Sequence, residues 1–453
     1  MSLFGTAGIR GDVADAVTPE VALAVARAVG YDARERDVDE VVVGLDGRVT
    51  GPALSSAVEA GLLSTGVSVR RVGQVPTPAL AYASRGRVGV MLTASHNPPS
   101  DNGIKLFADG TEFDASAEED VERRFGSSPQ PAPWDAWERP TSLDVLDEYR
   151  TAVAEYAGRF GSSLEGLPIA LDCGNGMASL AVPQVMGALG GEFSVVNGNV
   201  DGHFPGRDSK PTRRSLRPFS AFVAEGPFEI GLAHDGDADR IVVLDSDGTL
   251  VHEDTVLAVL AERYVRDCDA PDPVVVTTPN ASGRIDERVS AAGGRTTRVA
   301  LGSLADGIAS VRDGGGTVAF AAEPWKHVHT GFGGWIDGVA SAAVLARLVA
   351  EAGDVESLTA SVTERPYRKE AVACPEPRKD RAMDRIADEL PRRFPEATVD
   401  REYGVRLDLS DGAWILVRPS GTEPLIRLYA ESDDVKSLLE MGRSVVETAV
   451  SSG

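Results

Sequence analysis

One arrangement occurs three times along the 453-residue chain and constrains its fold more than anything else: a short β-branched strand, a helical stretch, then a second strand running into an unusual loop. The first strands are Val41–Gly44, Ile169–Asp172 and Val274–Thr277. Their second members begin 47, 61 and 44 residues later, at Val88–Leu92, Ile230–Ala233 and Val318–Ala321. A repeat of this length is a whole α/β unit, too long for a solenoid. Strands alternating with helices predict mainly parallel sheets, and such sheets gather ligands beyond the carboxyl ends of their strands. Three loops occupy those positions: 93–98, 235–240 and 323–327.

Boundaries follow from local composition. Residues 127–140 are rich in Pro, Ser and Trp and precede an amphipathic run from Leu143 to Tyr156, which places a junction there. The sequence therefore predicts three topologically similar α/β domains over 1–141, 142–248 and 249–366, and a smaller α+β domain over 367–453. In the last, two helices are expected to flank strands Val405–Leu409 and Trp414–Arg418.

Charge narrows the partners. There are 69 acidic residues against 45 basic ones, a net charge of −24 spread along the chain, and such a surface repels nucleic acid and anionic lipid. Only 6 of the basic residues are Lys, and scarce lysine with dispersed carboxylates is the composition expected of a protein working in concentrated salt. No apolar run approaches the roughly 18 residues of a membrane span, and the opening residues lack the build of a signal peptide, so a cytoplasmic protein is expected. Cys173, Cys268 and Cys374 suit neither a disulfide framework nor a zinc site and are expected to be buried, inert thiols.

Asp235, Asp237 and Asp239 alternate within five residues, so a chain curling round a cation can aim several carboxylate oxygens at one point. Three hard anionic ligands suit Mg²⁺. Ser95 follows an apolar strand in a loop that Pro98 keeps from continuing as a helix, and would be displayed at the strand end. The adjacent His96 suggests a hydrolase, but neighbouring residues rarely form the required pair, and there is no Gly-x-Ser-x-Gly elbow. The sharper reading is a Ser95 that carries a phosphoryl group. Residues 418–424, with Arg418, Ser420, Gly421 and Thr422, followed by Arg427, combine a flexible backbone, two hydroxyls and guanidinium forks, the ingredients of a phosphate cradle. The plainer alternative there is a surface ion pair of Arg418 with Glu423.

Taken together these loops resemble the alpha-D-phosphohexomutase superfamily, in the family's order and at its spacings. Residues 4–11 look like its N-terminal signature and Asn102-Gly103-Ile104-Lys105 like its lysine segment. The resemblance implies four domains around a central cleft, with Ser95 as phosphoserine and Asp235, Asp237 and Asp239 binding Mg²⁺ together with it. Arg10 and Lys105 would lie near the transferring group, and Lys105 or His327 would be the acid/base. Arg240, Glu323, Trp325 and Lys326 would contact substrate, while Arg418, Ser420, Gly421, Thr422 and Arg427 would hold its other phosphate. The implied reaction interconverts hexose 1-phosphate and 6-phosphate of a glucose or mannose type, with a hexose 1,6-bisphosphate as intermediate and activator.

The third loop departs from the family's usual Gly-Glu-x-Ser-Gly-His. Residues 322–327 keep Glu323 and His327 but put Trp325 where Ser is expected. The indole is either a packing residue or a ring against a sugar face. A phosphoglucosamine mutase and a non-catalytic phosphosugar-binding homologue are the alternatives, the second expected to lack Ser95 or an aspartate. A phosphatase is disfavoured because hydrolysis needs no second phosphate site.

Overall fold

The structure, a computed structural model, describes residues 3–5, 8–127, 130–420 and 423–451. The chain divides into two compact units, one of residues 1–256 and 319–360, the other of residues 257–318 and 361–453. Among the described residues no helix is long and apolar enough to cross a membrane.

The first unit is built on two sheets. Strands β1 (Ile9–Asp12), β2 (Glu40–Leu45), β3 (Ser68–Gln74), β4 (Val88–Leu92), β5 (Asp101–Ala108), β6 (Thr111–Glu112) and β7 (Thr141–Ser142) form one, in the order β1-β5-β4-β2-β3-β7 with β6 on β5. Strands β4, β2, β3 and β7 run parallel, as the strand–helix alternation predicts, while β5 and β1 close one edge antiparallel. Every residue of β4 is buried, which is why it reads as an unbroken apolar run. The helix Pro19–Glu35 is started by Thr18, whose hydroxyl accepts from Val21 N, and lays Val25, Ala26 and Val29 into the core beside Val41, Val43 and Leu92.

Strands β8 (Pro168–Asp172), β9 (Glu192–Val196), β10 (Ile230–His234) and β11 (Ile241–Leu244) form the second sheet, in the order β11-β10-β8-β9, parallel except for β11. The run expected to be helical from Leu143 is a helix over Leu146–Ala157. The hairpin of Thr317–Glu323 and Lys326–Val328 carries the third loop.

In the second unit, strands Pro273–Thr277 and Arg295–Arg298 pair in parallel. The C-terminal segment holds more than the two strands read from sequence. Five antiparallel strands lie in the order Tyr367–Ala373, Leu425–Glu431, Trp414–Pro419, Val405–Asp408, Thr398–Asp400, with helices Lys379–Arg393 and Val435–Ser451 on the core they share. The outer strand Tyr367–Ala373 has no buried residue, so it shows no apolar alternation to find. Of the cysteines, Cys173 and Cys374 are buried as expected, but Cys268 is only half-buried.

Candidate active site

Ser95 and the three aspartates meet although 140 residues separate Ser95 from Asp235: the Ser95 hydroxyl donates to Asp235 Oδ2 at 2.7 Å. Ser95 follows β4 and Asp235 follows β10, so both loops leave the carboxyl ends of parallel strands. Ser95 is fully enclosed here, not displayed as the sequence reading had it. Its backbone is left-handed at φ 51°, and the other two loops each contain a non-glycine residue in the same region, Ala238 at 60° and Trp325 at 69°. Non-glycine residues rarely sit there, and such strained positions cluster at functional sites.

Each aspartate is held by a residue from the N-terminal part of the chain: Asp235 by Ser95 in a loop, and the other two from the helix Thr77–Ala83 and strand β5. Asp237 Oδ2 accepts from the Thr77 hydroxyl at 2.7 Å and from Lys105 Nζ at 3.2 Å, and Asp239 Oδ2 accepts from Lys105 Nζ at 2.6 Å. Arg240 Nε stands 3.6 Å from an oxygen of Asp235 and of Asp239. One oxygen from each carboxylate lies within 4.8 Å of the others, all three residues are buried, and Asp237 Oδ1 and Asp239 Oδ1 have no hydrogen-bond partner. Oxygens aimed at one point without a donor are what a hard divalent cation needs, so the residues fit Mg²⁺.

Electrostatics tie the group together. Burial, then Asp239 and Asp237, push the Asp235 carboxyl well above its ordinary range. At Asp239 burial acts in the same direction, but Lys105, Arg240 and Lys326 outweigh it and hold the carboxylate ionised. Burial pulls Lys105 down, yet Asp237 and Asp239 more than compensate, and the ammonium stays charged.

His96 was set aside on sequence grounds, and the geometry corrects that: with Ser95 left-handed, His96 Nδ1 lies 3.3 Å from Ser95 Oγ. Burial, then Arg240 and Arg10, lower its pKa to about 3, so the ring is neutral. Arg10, on β1 opposite Gly103, leaves its buried Nε without a partner.

The third loop sits beside the metal loop through a bridge between Arg240 and Lys326. Lys326 Nζ is 3.4 Å from Glu323 Oε2. His327 is buried, its Nδ1 is 3.0 Å from Ser341 Oγ, its Nε2 has no hydrogen-bond partner, and burial lowers its pKa to about 3. Trp325 packs on the cluster of Phe219, Val242 and Leu244 and, with His327, lines a small apolar cavity over Ile241 and Val251.

In the second unit, Arg418 and Arg427 are cross-strand neighbours. Arg418 donates to Tyr429 Oη at 3.1 Å and leaves its buried Nε unpartnered. The ion pair of Glu423 is with Arg427, not with Arg418. Lys379, which sequence reading missed, is buried and donates to the carbonyls of Ser420 and Glu423. Gly421 and Thr422 lie outside the described residues.

Family models described as phosphoglucomutase/phosphomannomutase, alpha/beta/alpha domains I and II and C-terminal domain, match residues 1–131, 147–248 and 371–447. A phosphopentomutase of Thermococcus kodakarensis is 40% identical over 99% of both chains. The chain belongs to the alpha-D-phosphohexomutase superfamily. A probable phosphoglucosamine mutase of Methanopyrus kandleri is 36% identical over 98% of this chain and 97% of its own length. A phosphoglucomutase/phosphomannomutase family protein of Burkholderia thailandensis superposes with a TM-score of 0.86 at 25% identity, over 99% of this chain and 97% of that one. The protein is thus an enzyme of the phosphosugar mutase type, with a multi-domain α/β fold.

Proposed function

We propose that the enzyme interconverts the 1-phosphate and 6-phosphate of a hexose through a phosphoryl group carried on Ser95. The observation that carries this reading is the contact of Ser95 Oγ with Asp235, next to two buried carboxylate oxygens that have no donor. A bound Mg²⁺ would be held by Asp235, Asp237, Asp239 and Ser95, and would supply Lewis-acid stabilisation of charge on the transferring group.

In the forward half the bond from Ser95 Oγ to phosphorus breaks as one from a free sugar hydroxyl forms. The hydroxyl gives up its proton, and Ser95 Oγ takes one in place of the phosphoryl group. The bisphosphorylated sugar then turns over and returns its other phosphoryl group to Ser95, so nothing is consumed. Transfer of this kind asks mainly for position and charge. Arg10, with an unpartnered Nε, and Lys105, charged, supply the positive field. Lys105 and His327 are the acid/base candidates: Lys105 Nζ is held charged between Asp237 and Asp239, which suits the acid, and His327, with Nδ1 on Ser341, keeps a buried Nε2 without a hydrogen-bond partner. Arg418, Ser420, Gly421, Thr422 and Arg427 are assigned to the substrate's other phosphate, and Arg240, Glu323 and Lys326 to the sugar. The division into domains 1–141, 142–248, 249–366 and 367–453 is part of the same reading.

A second sugar class is favoured by one observation. The relative at 40% identity is named a phosphopentomutase, so a pentose 1-phosphate to 5-phosphate shift is the competing assignment. The test is kcat/KM on glucose, mannose, glucosamine and ribose 1-phosphates, with glucose 1,6-bisphosphate as activator and MgCl₂ present. The hexose reading expects a hexose 6-phosphate as the fastest product, and a larger value for ribose 1-phosphate overturns it. Ser95→Ala should abolish turnover and remove a phosphate-sized addition from the intact mass. Free phosphate as the main product, or no turnover of any sugar, would refute mutase chemistry at Ser95.

A further inference from the structure

A buried ion pair after β2 grips Ser95 by both of its backbone polar groups. Arg48 is 1% exposed, and its five guanidinium N–H donors all have acceptors. Nη2 donates to Ser95 O at 2.9 Å and Asn97 O at 2.8 Å, Nη1 to Asp101 O at 2.8 Å and to Pro98 O, and Nε to Asp46 Oδ2 at 3.1 Å. Asp46 Oδ2 in turn accepts from the Thr93 hydroxyl at 2.7 Å, and the Thr93 oxygen accepts from Ser95 N at 2.8 Å. The far face of the guanidinium lies over the Phe204 ring, 5.2 Å from its centre.

We propose that Asp46 and Arg48 are positioning residues that hold Ser95 in its left-handed conformation and so aim its oxygen at Asp235. The proposal rests on the reading of Ser95 as phosphoryl carrier.

The physical argument is one of over-determination. A left-handed non-glycine residue costs on the order of 1 kcal/mol and persists only where its surroundings fix it. Ser95 lacks the support of a helix or strand, so its N–H and C=O would otherwise have no fixed partners. The pair supplies both, the carbonyl directly through Arg48 and the amide through Thr93. Four carbonyls between residues 95 and 101 converge on one planar fork, and a lysine, with three donors on one atom, cannot match that geometry. A loop freed from the fork would relax toward extended backbone and carry Oγ away from Asp235, and a misplacement of about 1 Å can cost about 10²-fold in rate.

The experiment uses the full chain and compares Arg48→Lys and Thr93→Val with wild type. Phosphate gain at Ser95 from glucose 1,6-bisphosphate is followed by intact mass, kcat and KM are measured on the fastest sugar 1-phosphate, and hydrogen exchange is measured across residues 93–98. Arg48→Lys should slow phosphorylation and kcat about 100-fold with KM within about 3-fold, and speed exchange in 93–98 alone. Thr93→Val, which leaves the buried ion pair in place, should show the same pattern at about 10-fold. Wild-type rates in a folded variant, or faster exchange spread through the whole sheet with kcat and KM changing in step with the melting temperature, would overturn the proposal. Should Arg48→Lys not fold, Thr93→Val decides. If wild-type Ser95 takes no phosphate, the carrier reading fails, while exchange at 93–98 still judges the grip.

Discussion

Lys105 Nζ bridges Asp239 at 2.6 Å and Asp237 at 3.2 Å, so one ammonium balances two of the three buried carboxylates. Removing one partner of a buried ionic group costs about 3–5 kcal/mol, because the remaining charge is left uncompensated. Lys105→Met should therefore lower the melting temperature, and added MgCl₂ should restore more of it in the variant than in wild type. Thermal melts with and without MgCl₂ check this. A loss of kcat of at least about 10² is expected alongside, from the missing positive charge near the transferring group.

Trp325 occupies the second position of a two-residue turn between Glu323 and Lys326, at φ 69°. After Pro324 this is the backbone of a type II turn, where glycine is usual. A tryptophan there is retained at a strain of about 1 kcal/mol, offset by its packing on Phe219 and Leu244. Trp325→Ser should lower the melting temperature and reduce kcat/KM by the same factor on every sugar tested. A change in the ranking of glucose, mannose and ribose 1-phosphates would instead put the ring on the substrate.

His327 and His329 share Ser341 Oγ, at 3.0 and 2.8 Å, and burial holds each at a pKa of about 3. The unfolded chain protonates both below about 6.5, so between that pH and about 3 it binds more protons than the folded chain. Their contribution is present above pH 6.5 and lost as pH falls toward 3, at up to about 1.4 kcal/mol per pH unit for each ring. Asp46, pushed up to about 6 by burial, acts in the opposite sense, so the comparison needs a variant. His329→Gln should flatten the fall in melting temperature between pH 7 and 5, and an unchanged slope would contradict the assignment.

The net charge of −24 predicts that stability rises with potassium chloride into the molar range, as screening relieves repulsion among carboxylates. A melting temperature that is flat or falls over that range would refute it.

The repeat was legible because β2, β4, β8 and β10 are buried strands of β-branched and apolar residues, and the loops after β4 and β10 carry Ser95 and the three aspartates. The alternating aspartates were legible because carboxylates packed this closely repel one another unless a cation or a proton relieves them. Thr77, Asp46, Arg48 and Lys379 were not legible. Each is an ordinary residue type that matters through a partner distant in sequence, such as Asp237 for Thr77 or the carbonyls of Ser420 and Glu423 for Lys379. His96 was misjudged because a backbone turned at Ser95 was not foreseen, and the strand Tyr367–Ala373 because it buries no residue.

Ser95, Thr77 and Lys105 each grip a carboxylate that lies 132 to 160 residues later in the chain. During synthesis, at roughly 5–20 residues per second, the N-terminal sheet therefore waits about 7 to 30 s for the strand that brings the aspartates. Over that interval Lys105 has no counter-charge from the acidic loop and Ser95 has no carboxylate to orient its hydroxyl. Ser95 is made early, but the carboxylate that orients its hydroxyl arrives only when the second sheet closes on the first.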